Sequence, residues 1–123
     1  MADANDLIST IRRNRELKVT VGQYVFTCRR PTDSEIERYR DSTIYSDTLA
    51  QHHVIGWGRA DGGAFTESDF LGGGGGTDPV PFELPLWLQW CADHMEVWTP
   101  IGDAVTNAFT EHRKDLRQAE KNS

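Results

Sequence analysis

The chain is poor in cysteine and in basic residues, and it contains no long apolar run. Its 123 residues include two cysteines, Cys28 and Cys91, too few for the disulfide framework of a small secreted domain. No stretch approaches the roughly 20 apolar residues of a membrane-spanning helix. Near the amino terminus stand Asp3 and Asp6 rather than the apolar segment of a secretory signal. These absences predict one soluble domain in the cytoplasm, with both thiols reduced.

The chain has fewer basic than acidic residues, which limits the classes of binding partner that we expect. The 13 Lys and Arg residues face 19 Asp and Glu residues, which gives a formal net charge of −6. Nonspecific binding to nucleic acid or to an anionic membrane needs a positive surface, so we expect neither as a partner. The charge is uneven, because residues 61–83 contain no Lys or Arg while residues 12–40 contain eight, seven of them Arg.

Two alternating segments near the amino terminus predict a β-hairpin. Residues 17–21 and 24–28 alternate apolar and polar side chains, which is the period of a half-buried strand. Gly22-Gln23 between them suits a type II′ turn. A short helix over residues 6–15 is expected before the hairpin, and residues 1–5 are expected to be frayed. An isolated hairpin is marginal, so we expect this one to pack on helices.

Capping patterns predict helices in the rest of the chain. Thr32 and Glu35 form a capping box, and the apolar stripe of the helix that follows would be Ile36, Tyr39, Thr43 and Ile44. This helix is expected to break and to resume before Val54. Pro85 fits the first turn of a second helix. A third helix is expected to begin with Thr99 as its N-cap and Pro100 at its first position, and to end near residues 117–120.

These elements together predict a single domain over residues 1–123 with an α+β fold that is mostly α. In this prediction the N-terminal β-hairpin packs on a small helical bundle of about four helices. Residues 58–80, which include the run Gly72 to Gly76, are expected to form a flexible Gly-rich loop, because ordering so many glycines is costly. Residues 118–123 are expected to form a frayed tail.

The chemistry-bearing residues do not form a recognisable catalytic or cofactor site. The glycine run lacks the lysine of a phosphate-binding loop and is followed by Asp78. Cys91 and His94 could share a helix face, but a zinc site would also need Cys28 from the distant hairpin. No nucleophile motif is present. We therefore expect no enzyme activity, no cofactor and no metal, with a small catalytic or metal-dependent domain as the remaining alternative. The histidines are expected at the surface.

The four tryptophans are many for this length. The expected place of Trp87 and Trp98 is the core. Trp90 falls at the edge of the apolar stripe of its helix, where an exposed indole would indicate a partner surface.

Five short motifs follow one another along the chain: Phe26-x-x-Arg29-Arg30-Pro31-Thr32-Asp33, Val54-Ile55-Gly56-Trp57, Pro81-Phe82, Trp98 with Ile101 to Val105, and Lys121-Asn122. Their order resembles that of the tail assembly chaperones of long-tailed bacteriophages. The resemblance covers about residues 24–122. The long glycine insertion and the pair Trp87 and Trp90 depart from the usual family pattern.

The resemblance implies a non-enzymatic role in the cytoplasm of the bacterial host. Such proteins bind the tape-measure protein and help to recruit tail-tube protein during tail assembly. Helix-in-groove recognition would suit the client, and the expected partner-binding anchors are Trp57, Phe82 and Trp90. Self-association through the edges of the hairpin is a further expectation. The alternative function is that of a small structural tail or neck protein retained in the virion.

Overall fold

The computed structural model describes residues 3–40 and 45–122. The fold is α+β with 58% helix and 17% strand, so the predicted class is confirmed. The described elements are α1 (Ala4–Asn14), β1 (Glu16–Val21), β2 (Tyr24–Arg29), α2 (Asp33–Tyr39), α3 (Ser46–His53), β3 (Val54–Arg59), α4 (Glu67–Leu71), α5 (Leu84–Ala92), a 3₁₀ turn (Met95–Val97) and α6 (Trp98–Lys121).

The sheet has three antiparallel strands in the order β1-β2-β3 rather than the two strands of the predicted hairpin. The hairpin itself is present, and its register pairs Val19 with Phe26 and Val21 with Tyr24. Gly22 has φ +59°, as the first central position of a type II′ turn requires. The third strand was missed because glycine weakens a strand pattern. Since β2 is the central strand, it offers no edge for self-association.

The segment Val54-Ile55-Gly56-Trp57 is therefore part of a strand and not only the end of a helix. Trp57 pairs with Phe26 on β2, and Gly56 pairs with Thr27. The expectation that a helix resumes before Val54 is confirmed, because α3 ends at His53 and β3 begins at the next residue.

Helix ends follow local capping chemistry, with two corrections. The Thr32–Glu35 capping box is present at the start of α2. Thr43 and Ile44, which were expected to extend its stripe, lie outside the described residues. Thr99 and Pro100 do not start α6, because the 3₁₀ turn leads directly into the helix two residues earlier, at Trp98. Pro100 is tolerated there, since the first-turn N–H groups need no intrahelical acceptor.

The ends of the chain contain more helix than expected. Helix α1 begins at Ala4, with the Asp3 side chain accepting a hydrogen bond from the Asp6 N–H at 2.8 Å. Helix α6 continues to Lys121, so residues 118–121, predicted as a frayed tail, lie within the helix.

The core lies between one face of the sheet and the helices α3, α5 and α6. Helix α6 packs most extensively on α3 and also contacts β1 and β2. Gly102 allows the close approach of α3 and α6, because a Cβ atom there would lie 3.2 Å from the Cβ of Ser46. The buried apolar residues are Val19, Phe26, Cys28, Ala50, Val54, Phe65, Trp87, Trp90, Cys91, Val97, Ile101 and Val105.

Candidate functional site

The indole N–H groups of all four tryptophans donate hydrogen bonds to backbone carbonyls. The pairs are Trp57 to Val80 (2.8 Å), Trp87 to Ala50 (3.1 Å), Trp90 to Asp69 (3.4 Å) and Trp98 to Cys91 (2.8 Å). Three of these bonds connect segments far apart in the sequence. The indoles therefore hold the framework together, as buried Trp side chains do when their polar atom is satisfied.

Trp90 lies in the core, so the prediction that it is an exposed anchor is wrong. Only 2% of its surface is exposed. Its ring stacks on His94, with centroids 3.7 Å apart and an interplanar angle of 8°, and meets Phe65 edge-on at 5.6 Å. Helical projection placed Trp90 at the border of the stripe, but the segment containing Phe65 covers that border. A partner cannot contact this indole in the described conformation.

Trp57 and Phe82 are only partly buried, and their rings contact each other. The centroids lie 5.2 Å apart at 77°, while Trp57 stacks on buried Phe65 at 4.2 Å and 13°. Helix α5 begins two residues after Phe82 and carries Leu84 and Leu88, one turn apart, which are 54% and 37% exposed. We name Trp57, Phe82, Leu84 and Leu88 the aromatic surface. Its rings are held in place while its outer side chains are accessible.

The Gly-rich segment contains an anchored helix, which the prediction of a flexible loop over residues 58–80 did not include. Arg59 donates to Asp69 at 2.6 Å, and Asp69 also accepts from the backbone N–H and hydroxyl of Thr66 at 2.9 and 3.0 Å. Burial raises the pKa of Asp69, but the hydrogen bonds from Thr66 and Arg59 outweigh burial and lower it. The ionised Asp69 therefore connects α4 to Arg59 at the end of β3. The side chain of Phe65, in the segment between them, is buried.

His53 is buried rather than at the surface, which corrects the expectation for the histidines. Its Nδ1 lies 3.2 Å from the Arg29 carbonyl oxygen, and its Nε2 lies 3.0 Å from the Tyr39 hydroxyl. A carbonyl only accepts, so Nδ1 donates and Nε2 accepts from Tyr39. Burial lowers the pKa of His53, with the nearby Glu35 carboxylate opposing the effect. Both ring nitrogens are thus occupied in joining α2, α3 and β2.

Sequence patterns gave one usable signal for this buried histidine. His53 immediately precedes Val54, the buried first residue of β3, and the end of a helix that runs directly into a strand lies close to the sheet. Next to it, Arg29 pairs with Glu35 at 3.0 Å. This ion pair connects β2 with α2.

The two thiols are buried and separate. Burial raises the pKa of Cys28 to about 12 and that of Cys91 to about 11, so both stay protonated at neutral pH. Within residues 3–40 and 45–122, no group of three or more His, Cys, Asp or Glu side chains could hold a metal ion.

A groove of about 740 Å³ separates α1 from the carboxyl-terminal half of α6. The α1 wall includes Ile11, and the opposite wall includes Ala108 and His112. We name it the α1–α6 groove. Its lining residues are Ile11, Asn14, Arg15, Glu16, Leu17, Arg30, Thr32, Asp33, Ser34, Ala108, Glu111, His112 and Asp115. No sequence pattern pointed to this groove, since it depends on how α1 lies relative to α6.

Comparison with models of protein families, with curated proteins and with solved structures finds no match to this chain. Among the helices that the structure describes, none combines the length and apolar character that a membrane crossing requires.

Proposed function

We propose that the chain is a tail assembly chaperone of a long-tailed bacteriophage, which binds the tape-measure protein in the host cytoplasm and helps to recruit tail-tube subunits. The ordered motifs between residues 24 and 122 support this function by resemblance. Trp57 and Phe82 remain candidate anchors, and Trp90 is withdrawn from that role.

The single observation that carries the proposal is the accessible Trp57–Phe82 pair at one end of α5. Aromatic side chains that are rigid and partly exposed are frequent binding hot spots, because little side-chain entropy is lost on contact. The Trp57 indole is fixed by Val80 and Phe65, so it offers a preformed contact for a partner.

Leu84 and Leu88 extend this contact along one edge of α5. Two apolar side chains one helical turn apart match the i and i+4 spacing by which a client helix lays its apolar face in a groove. The net charge of −6 would keep a complex with an apolar client dissolved.

Co-expression with the tape-measure protein from the same genome tests the proposal. We expect the client to be insoluble alone and to co-purify with the wild-type chain. Leu84→Glu and Phe82→Ala should each reduce the co-purified client about 10-fold, as loss of a hot-spot contact does. Met95→Glu is the matched control, since Met95 is also exposed but lies outside the aromatic surface.

Two results would contradict parts of the proposal. If both variants retain the client as the wild type does, the client does not use the aromatic surface. If the client stays insoluble and mass spectrometry detects the chain in finished particles, the protein is a structural tail or neck component instead.

A further inference from the structure

Helix α1 presents an apolar face that residues 3–40 and 45–122 leave largely uncovered. Leu7, Ile8 and Ile11 lie on this face and are 55%, 47% and 50% exposed. None of the eleven residues of α1 is buried, and the helix makes few contacts with the other elements. An amphipathic helix is ordinarily stabilised by burying its apolar face. This face is therefore expected to have a partner in another molecule.

The carboxyl-terminal half of α6 continues the same surface on the other side of the α1–α6 groove. The apolar stripe of α6 is buried at Ile101 and Val105 but reaches Leu116, which is 43% exposed. Ile11 lines the groove itself, while Leu7 and Leu116 each lie one helical turn from a lining residue, Ile11 and His112. A third helix laid in that groove would contact both α1 and α6.

The charges of α1 show which helix fits. Asp3 and Asp6 are near its amino end, and Arg12, Arg13 and Arg15 are near its carboxyl end. Two such helices placed antiparallel bring the acidic end of each to the basic end of the other. When the two antiparallel helices are aligned at Ser9, Asp3 of one copy lies level with Arg15 of the other. The antiparallel helix dipoles also favour this arrangement.

The groove contains two adjacent arginines at the matching place, with the Asp33 carboxylate also in its lining. Arg15 and Arg30 adjoin, since the Arg30 N–H donates to the Arg15 carbonyl at 2.8 Å, and both line the groove. Neither guanidinium forms an ion pair within the described parts of the chain. Burial lowers the pKa of Arg30 and the charge of Arg15 lowers it further, while the Asp33 carboxylate opposes the shift. Adjacent like charges are unfavourable, so an acidic group facing them would stabilise the fold.

We propose that the α1–α6 groove binds α1 of a second copy of this chain. The two copies are related by a two-fold axis, and α1 and α6 from each form an intermolecular four-helix bundle. Asp3 of the second copy then faces Arg15 and Arg30.

The area of contact requires both helices. Stable interfaces bury about 800 Å² on each partner. Helix α1, with eleven residues, is only about 16 Å long and is too short to supply this area alone. Helix α6, with 24 residues, is about 36 Å long and adds its exposed half. This inference does not depend on the proposed function, because the aromatic surface lies outside the groove.

Analytical ultracentrifugation of the full chain tests the proposal. The wild type should sediment with twice the 13.9 kDa mass of one chain and dissociate on dilution. The double variant Leu7→Glu/Ile11→Glu should weaken the dimer about 100-fold, since each lost apolar side chain is worth roughly tenfold. Arg15→Glu should weaken it about 5-fold, as expected for partly exposed ion pairs.

Matched controls separate loss of the interface from loss of the fold. Met95→Glu introduces the same charge at an apolar side chain with 70% exposure outside both the groove and the aromatic surface, and Arg38→Glu reverses a charge outside the groove. Both should dimerise as the wild type does, and circular dichroism of the groove variants should remain unchanged.

Three outcomes would overturn the proposal. The first is a wild type that sediments as one chain at the highest concentration that remains in solution. The second is a dimer that the Leu7→Glu/Ile11→Glu variant leaves intact. The third is a monomer whose capture of tape-measure protein is lost in that variant, because the groove would then be the client site.

Discussion

The two ends of the molecule differ in how closely their apolar side chains are packed. Around α5 and β3, aromatic rings pack against one another, and each indole N–H has a backbone acceptor. At α1 and the carboxyl-terminal half of α6, Leu7, Ile11 and Leu116 stand in solvent, each more than 40% exposed. The first region can fold within one chain. The second leaves its apolar side chains exposed within residues 3–40 and 45–122.

This difference divides substitutions into two kinds: those that change the stability of one chain and those that change its association with another. Substitutions in the aromatic core should change the free energy of unfolding, whereas substitutions in α1 should change it little and act on contacts between molecules. The largest effect on the free energy of unfolding is expected in the aromatic core and the smallest in α1.

Replacing Trp87 should unfold a substantial fraction of the protein. Its side chain is fully buried and its indole donates to the Ala50 carbonyl. Trp87→Ala should lower the free energy of unfolding by about 3–5 kcal/mol, because it leaves a large cavity and an unpaired carbonyl. Urea denaturation followed by tryptophan fluorescence measures the loss.

Leu88→Ala is the control for this change, since Leu88 follows Trp87 directly but is 37% exposed. It should cost less than about 1 kcal/mol. Similar losses for both variants would mean that burial of Trp87 does not dominate the stability of this region.

Titration of His53 should make the stability of the core depend on pH. Burial lowers the pKa of His53 below its ordinary value of 6.5, so the unfolded state binds a proton that the folded state does not. The free energy of unfolding should therefore fall as the pH decreases from 6.5 towards the folded pKa, by at most about 1.4 kcal/mol per pH unit. Thermal denaturation between pH 7.5 and 5.5 measures the slope.

The variant His53→Asn should be less stable at neutral pH but should lose this slope. Titration of Glu35 does not contribute to this slope. Burial raises the pKa of Glu35, but the hydrogen bonds from Thr32 and Arg29 outweigh burial and lower the pKa from 4.5. The stabilisation that ionised Glu35 provides is therefore lost only below the pH range of this measurement. An equal slope in the variant would assign the effect to another group.

Local patterns predicted the elements other than β3 and α4, but not which segments cover them. Alternation over residues 17–28 and the Thr32–Glu35 capping box depend on neighbouring residues, and both are present in the structure. Trp90 was misplaced because its burial depends on Phe65, 25 positions earlier. The glycine content of residues 58–80 hid the Arg59–Asp69 ion pair that orders part of the segment. Contacts distant in sequence leave no periodic signal, so the groove could not be predicted either.

The smallest expected effect belongs to α1 and marks the limit of the comparison. Leu7→Ala should change the free energy of unfolding of the dilute, single chain by less than about 0.5 kcal/mol, because the side chain buries little within its own chain. At high concentration the wild type should melt higher than the variant, since association stabilises only the folded state. Melting curves over a range of protein concentrations measure both effects. A loss near 2 kcal/mol at every concentration would instead place Leu7 in the core of its own chain, and the two ends of the molecule would then not differ.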